Sequence, residues 1–354
     1  MKYIYLYQNE NEYNADSTRV LPAVSYSEQE MITHYSPDDG SNPDPDEPDP
    51  DEPVHPSGDY ITFADPVVEQ IITDAYGTNG KITYGQAAAV TEFVSGEDSA
   101  SNPFFGNESI TSFDELQYFT GLTSIGNYTF SECTFLKSIT LPNSVTSIGD
   151  LAFFRCTLLS NINIPINLQE IGFGAFNECI SLNINLNLPN SLTTISQNAF
   201  NTCKKIKSIT LGNSLISIGD GAFYGCKDAI GDIIIPNTVT EMGTSVFSDC
   251  HSITSVSISS GLKKINNLSF AACKSLETVY IPNSISLIGE SAFGGYRTNL
   301  TSFYIQATTP PTLLSNALPN NENCTFYVPA ESVDAYKAAD GWSQFADRIS
   351  PITE

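Results

Sequence analysis

Seven cysteines, Cys133, Cys156, Cys179, Cys203, Cys226, Cys250 and Cys273, recur at steps of 23 or 24 residues, each preceded three residues earlier by a phenylalanine, Phe130 through Phe270. Eight cysteines in one chain ordinarily argue for four disulfides. The period argues against them here. Residues one repeat apart stack about 4.8 Å apart in neighbouring coils and face the same way into the interior. Such a column packs as small hydrophobes with inert thiols. Phe293 keeps the period although Tyr296 takes the cysteine's place, so no disulfide partner is left waiting; Cys324 lies off the repeat.

Other reactive groups are sparse. The three histidines are His34, His55 and His251. The first two fall outside the repeats, and His251 sits on a coil turn with no partner at a catalytic or metal-binding spacing. No G-x-S-x-G, H-E-x-x-H, P-loop or C-x-x-C occurs. Paired carboxylates for glycoside cleavage are a matter of three-dimensional distance, but the outward strand positions are mainly Ser, Thr and Asn, which are poor acids and bases. A non-enzyme without a cofactor is expected. One stretch, DAYGTNGKITYGQ, has the outline of a calcium loop: Gly80 at the sixth position, Asn79 at the fifth and Ile82 at the eighth. Ala75, Gly77 and Gln86 occupy the first, third and twelfth positions, where charged or chelating oxygens belong. The expectation is a metal-free turn.

The candidate site is a surface. Between the last two inward residues of each strand, the outward position runs Thr140, Asn163, Asn187, Thr210, Ile234, Ser257, Tyr280 and Tyr304. Its first half is small and polar, and it ends in two tyrosines of adjacent coils with Glu277 beside them. Rigid amphipathic tyrosines are favoured in binding hot spots. Ligand contacts are therefore expected at Tyr280, Tyr304, Glu277 and Ile234. An aromatic pair that only braces the sheet is the competing expectation.

A self-similar period of this length predicts a solenoid. Within the unit LKSITLPNSVTSIGDLAFFRCTL, Leu136, Ile139 and Leu141 point inward from a strand, and Pro142 and Asn143 end it. Val145 and Ile148 return to the core. Gly149 permits a tight bend, and Ala152, Phe153 and Cys156 close the coil. About eight such coils are expected over residues 101–300, mainly β with short helical turns. Residues 60–100 read as a helical cap, with Val67, Ile71 and Ile72 on one helix face. Residues 301–354 read as a mixed cap with a last strand, TFYVPA, a short amphipathic helix, and Trp342 covering the open end. Caps are needed because an uncapped solenoid exposes an apolar end and a sheet edge.

Ahead of the array, residues 1–36 form a small module with strand-like KYIYLY. Residues 37–59 are an acidic, proline-rich linker, a solvated spacer that self-repels. The net charge of −25 is uneven: residues 1–58 carry 13 acidic and 2 basic residues, a net of −11. A chain this acidic, with no basic stripe anywhere, is not expected to bind nucleic acid. No apolar run of 18 residues exists to span a membrane. The N-terminus lacks the apolar core and cleavage site of a secretory signal peptide.

LPNSVTSIGDLAFFRC, LGNSLISIGDGAFYGC and IPNSISLIGESAF resemble the BspA-like leucine-rich repeats of gut and oral Bacteroidetes. ITSFDELQYFTGLTSIG (110–126) is similar to that family's lead-in to the array, and ATTPPTLL…TFYVPAESVDAYKAADGWSQFADRI to its terminal cap. The resemblance spans about residues 60–354 and implies a leucine-rich-repeat solenoid, displayed at a surface or secreted, with adhesion to host proteins among the roles. Residues 1–36 resemble the leading segment of virion structural proteins from phages of gut Bacteroidetes. That implies attachment to a larger assembly, a virion or a bacterial surface. The expected function is recognition of a host or bacterial surface protein or glycan, by a chain that could be homo-oligomeric. The alternatives are a polysaccharide-active enzyme on a solenoid scaffold and a purely structural spacer.

Overall fold

The computed structural model describes residues 55–352 apart from 94, 99–100, 296–298 and 320. The N-terminal module, residues 37–54 of the linker and Tyr296 thus lie outside the described residues. His55–Ile352 forms one compact unit. It is a parallel β-solenoid of about ten turns, with eleven short strands along a first sheet face and nine along a second. The expected array is therefore longer: the segment read as a C-terminal cap supplies further coils, with strands Ser302–Ile305, Thr325–Val328 and Ile349–Pro351 continuing the first sheet in parallel register.

Each coil closes through the segment that carries Ala, Phe and Cys. In one coil the amides of Leu151, Phe153 and Arg155 donate to Phe173, Ala175 and Asn177 of the next, at 2.7–2.9 Å. The amides between them, on Ala152, Phe154 and Cys156, close turns within the coil onto Gly149, Leu151 and Phe153. Alternation of this kind requires a left-handed backbone at every fourth residue. Leu151 and Arg155 adopt it at φ 55° and 56°, as do Tyr128 and Glu132 one coil earlier. Gly149 has a different task. A Cβ there would lie 2.4 Å from Asn127 Oδ1 and 2.8 Å from Asn127 N, so the glycine admits the preceding coil rather than a special bend.

Stacking follows from this register. Seven successive phenylalanine pairs, from Phe130–Phe153 to Phe270–Phe293, lie with ring centroids 5.0–5.5 Å apart and planes within 15°. Turned rings end the column, Phe104 at 59° to Phe130 and Phe303 at 88° to Phe293. Every thiol of the cysteine column donates to the phenylalanine carbonyl of the preceding coil, as Cys179 Sγ does to Phe153 O at 3.1 Å. A buried carbonyl gains a second partner from a side chain small enough to fit between coils. All eight cysteines are free and buried. Burial pushes the thiols of Cys133, Cys250 and Cys324 up to about 12.

Two helices begin the unit, α1 (Pro66–Tyr76) and α2 (Tyr84–Ala88). The fully buried side chains of α1 are Val68 and Ile72, while Val67 and Ile71 are only partly covered, a shift of the expected face. Asp65 caps α1 and ties it to the array. One oxygen accepts from the Val67 and Val68 amides, the other from Thr111 N and Oγ1 at 2.6 and 2.9 Å. The linker's end also joins the fold: the His55 ring stacks on Tyr84 at 4.1 Å and meets Tyr118 edge-on. At the other end, the expected single helix divides at Gly341 (φ 75°) into α3 (Val333–Ala338) and a 3-10 turn over Ser343–Arg348. Trp342 is fully buried there, edge-on to Phe326.

Two outcomes are expected. The thiols of the native chain do not react with a disulfide reagent at pH 8, and all eight react after unfolding; rapid labelling of the native chain would contradict the column. Burial alone would raise the proton affinity of Asp65, but the Thr111 and helix-end hydrogen bonds outweigh it and hold the carboxyl below its usual value. Its contribution is therefore present above the usual carboxylate range and fades as pH falls through the folded value. Asp65→Ala should cost about 2 kcal/mol near neutral pH, and less in acid, by urea denaturation.

Candidate recognition face

Strand alternation sends Val279, Ile281, Phe303, Ile305, Phe326 and Val328 into the core. The residues between them, Tyr280, Tyr304 and Tyr327, stand on the opposite face in direct register. Their rings form one row: Tyr280–Tyr304 centroids are 5.1 Å apart at 10°, and Tyr304–Tyr327 4.7 Å apart at 13°. Tyr304, sandwiched, is only 8% exposed, whereas its two neighbours are half-buried. Because the faces cover one another, the row presents ring edges and hydroxyls at one-coil spacing. Tyr327 extends the two-tyrosine site read from the sequence. TVYI (278–281), SFYI (302–305) and TFYV (325–328) share one pattern, and the second and third both lie in the segment read as a cap.

The other expected contacts are distributed differently. Ile234 is in the same column, 41% exposed, with Ser257 between it and Tyr280. Glu277 is exposed, but it precedes the strand Thr278–Ile281 and differs in parity from Tyr280. Thr278, two residues from the tyrosine, shares its face instead. In the first half of the column the polar side chains bond within the sheet. Thr140 Oγ1 donates to Asp114 Oδ1 at 3.0 Å, and Asn163 bridges both the amide and the carbonyl of Leu141.

Carboxylates on this face serve the same purpose. Asp114 accepts from Ser138 and Thr140, and Asp232 from Ser255. A general acid for glycoside cleavage needs raised proton affinity. The shifted carboxyls, Asp65 and Asp249, both move down. For Asp249, burial opposes the shift, and hydrogen bonds from Lys227 and His251 overcome it. His251 thus has a partner that its position in the sequence did not reveal. Register also sets Lys204, Lys227, His251 and Lys274, each next after a cysteine of the column, on successive turns, a short basic column that corrects the expectation of no basic stripe. Asp249 sits against Lys227 at 3.0 Å, and Asp228 against Lys205 at 2.8 Å.

The loop with the outline of a calcium site is a tight hairpin. Thr78 and Lys81 pair across Asn79 and Gly80, which take φ 56° and 71°. Gln86 is engaged in it: Oε1 accepts from Thr83 N, and Nε2 donates to Thr78 Oγ1 at 3.0 Å. Among the described residues no cluster of His, Cys, Asp and Glu could hold a metal ion, and no helix is long and apolar enough to cross a membrane.

A model of the BspA-type leucine-rich repeat region, in six copies, matches residues 100–230 and 193–325, well over half of the 354 residues. The chain belongs to the BspA-type leucine-rich repeat family. Solved structures similar to this BspA-type chain include the T. pallidum leucine-rich repeat protein TpLRR, 23% identical over 63% of this chain and 86% of that one, with a TM-score of 0.40. A leucine-rich repeat protein from Bacteroides ovatus is 26% identical over 66% of this chain and 76% of that one, TM-score 0.40. The pneumococcal vaccine antigen PcpA is 19% identical over 66% of each chain, TM-score 0.39. No curated protein gives a significant match.

The geometry of the row sets an order of effects. Tyr304→Ala should destabilise by about 2–3 kcal/mol, since it removes two ring pairs and nearly full burial. Tyr280→Ala or Tyr327→Ala should cost about half as much. Urea denaturation of the three variants measures this, and an equal or reversed order would contradict the stacked row.

Proposed function

We propose that the chain is a non-catalytic recognition protein that displays its solenoid at a surface and grips a host or bacterial surface protein or glycan with the tyrosine end of its first sheet. The carrying observation is the row Tyr280–Tyr304–Tyr327 on a face whose other outward positions, Ile234 apart, are mainly Ser, Thr and Asn. Aromatic edges and hydroxyls amid small, adaptable polar groups form the composition from which adhesive surfaces draw their contacts. Membership of the BspA-type family supports a surface role. Residues 1–36, followed by the acidic spacer, are the attachment end, to a phage virion or to a bacterial envelope.

Deleting residues 1–54 should leave the solenoid folded, with unchanged circular dichroism and melting temperature, while attachment to the particle or envelope is lost. Retained attachment would contradict the assigned anchor. In the full chain, Tyr280→Ala combined with Tyr327→Ala should weaken adhesion to target cells by about a thousandfold, two hot-spot side chains at about 2 kcal/mol each. Unchanged adhesion would contradict the recognition face.

A further inference from the structure

A groove of about 490 Å³ lies at the edge of the tyrosine face, between the turns that follow Thr278–Ile281 and Ser302–Ile305. Register explains it. Tyr280 pairs with Tyr304 and Leu287 with Thr312, so the later coil spends one residue more on its turn and its loop overhangs. The polar lining is Asn283, Ser286, Gln306, Thr308, Thr309 and Thr312, with Pro310 as a stiff rim and no charged residue among those described. Gln306 follows Tyr304 by two positions, so the groove continues the face of the tyrosine row.

The overhanging loop is held at four points. Its ends are fixed by Gln306 N to Ile281 O and Thr312 N to Ser286 O, both 2.9 Å. Its middle is fixed from the C-terminal cap by two buried aromatic donors. Tyr336 Oη donates to Ala307 O at 2.8 Å, and Trp342 Nε1 to Pro311 O at 2.7 Å. A surface loop pinned in this way is preorganised, which removes the ordering cost that binding otherwise carries.

We infer that this groove is a subsite for a neutral saccharide, and that Tyr336 and Trp342 are its positioning residues. The inference rests on the recognition reading above and narrows its ligand class. Amides and hydroxyls both donate and accept, as sugar hydroxyls do. An ionic ligand would lose its hydration without finding a counter-charge in the groove, and an anion would also meet the chain's net charge of −25. The tyrosine hydroxyls continue the hydrogen-bonding surface for the next sugar along the axis.

The test is binding of the full-length chain to an array of neutral oligosaccharides built from galactose, N-acetylglucosamine, mannose and fucose, beside sulfated and uronate-containing chains of equal length. Neutral chains should bind, and Gln306→Ala and Thr309→Val should each weaken them by about tenfold, the worth of one lost hydrogen bond in a shaped site, without lowering the melting temperature. Trp342→Phe keeps an aromatic ring but loses the Pro311 bond, and should weaken the same chains. If it also lowers stability, the two lining variants still decide. Preference for sulfated or uronate chains, or neutral binding indifferent to Gln306 and Thr309, would overturn the inference. If no saccharide binds while adhesion still depends on Tyr280 and Tyr327, the inference falls and the recognition reading stands. Loss of both dependences removes both.

Discussion

Every feature of this molecule depends on holding successive coils one strand spacing apart. Two parallel ladders set that spacing on the flat faces, and alternate amides of the Ala-Phe-x-x-Cys segment set it at the closing turn. The turn is where the chain is most constrained. Left-handed residues such as Leu151 and Arg155 recur there at about 1–2 kcal/mol each, and the inter-coil hydrogen bonds and the phenylalanine column hold them in place. Cysteine suits its position because its side chain fits between coils and its thiol reaches a carbonyl one coil back. Alanine would fill less of that space, and serine would bury a stronger polar group.

Once the spacing is fixed, any residue type repeated at one position becomes a column. The interior column is phenylalanine on phenylalanine, and its uniformity makes the fold insensitive to what the outside carries. Outside, the same rule stacks unlike things: Glu132, Arg155 and Glu178 in a half-exposed charge ladder, Lys204 to Lys274 along a later stretch, and three tyrosines near the end. The exposed ion pairs contribute little to stability. The tyrosines differ, because their stacking fixes hydroxyls in a regular row without further ordering. The C-terminal cap then acts twice: Trp342 and Tyr336 seal the apolar end and brace the loop beside that row.

Much of the fold was legible because a solenoid writes its period into the sequence. The phenylalanine and cysteine spacing, the inward strand residues and the need for caps are all readable in that period. Register was harder. Coils without the Phe-x-x-Cys signature read as cap from the sequence alone, so about eight coils are legible where the structure has about ten turns, and the outward column stops at Tyr304, one coil short of Tyr327. Glu277 looked adjacent to Tyr280 by number, yet strand parity separates them. Gly149 looked like a bend residue, whereas its role is the close approach of Asn127, an inter-coil distance with no local signature. The groove was likewise invisible, since it arises from one extra residue in one turn, and its bracing comes from residues some thirty positions away.

The most direct measurement is hydrogen exchange along the full-length chain, free and saturated with the tightest binder from the oligosaccharide array or from a panel of purified surface proteins. Recognition by the tyrosine end places new protection in residues 278–286 and 302–312 and in the strand of Tyr327, with the remaining coils unchanged. Protection confined to the turn ridge of residues 128–180, or spread evenly over the array, would contradict it.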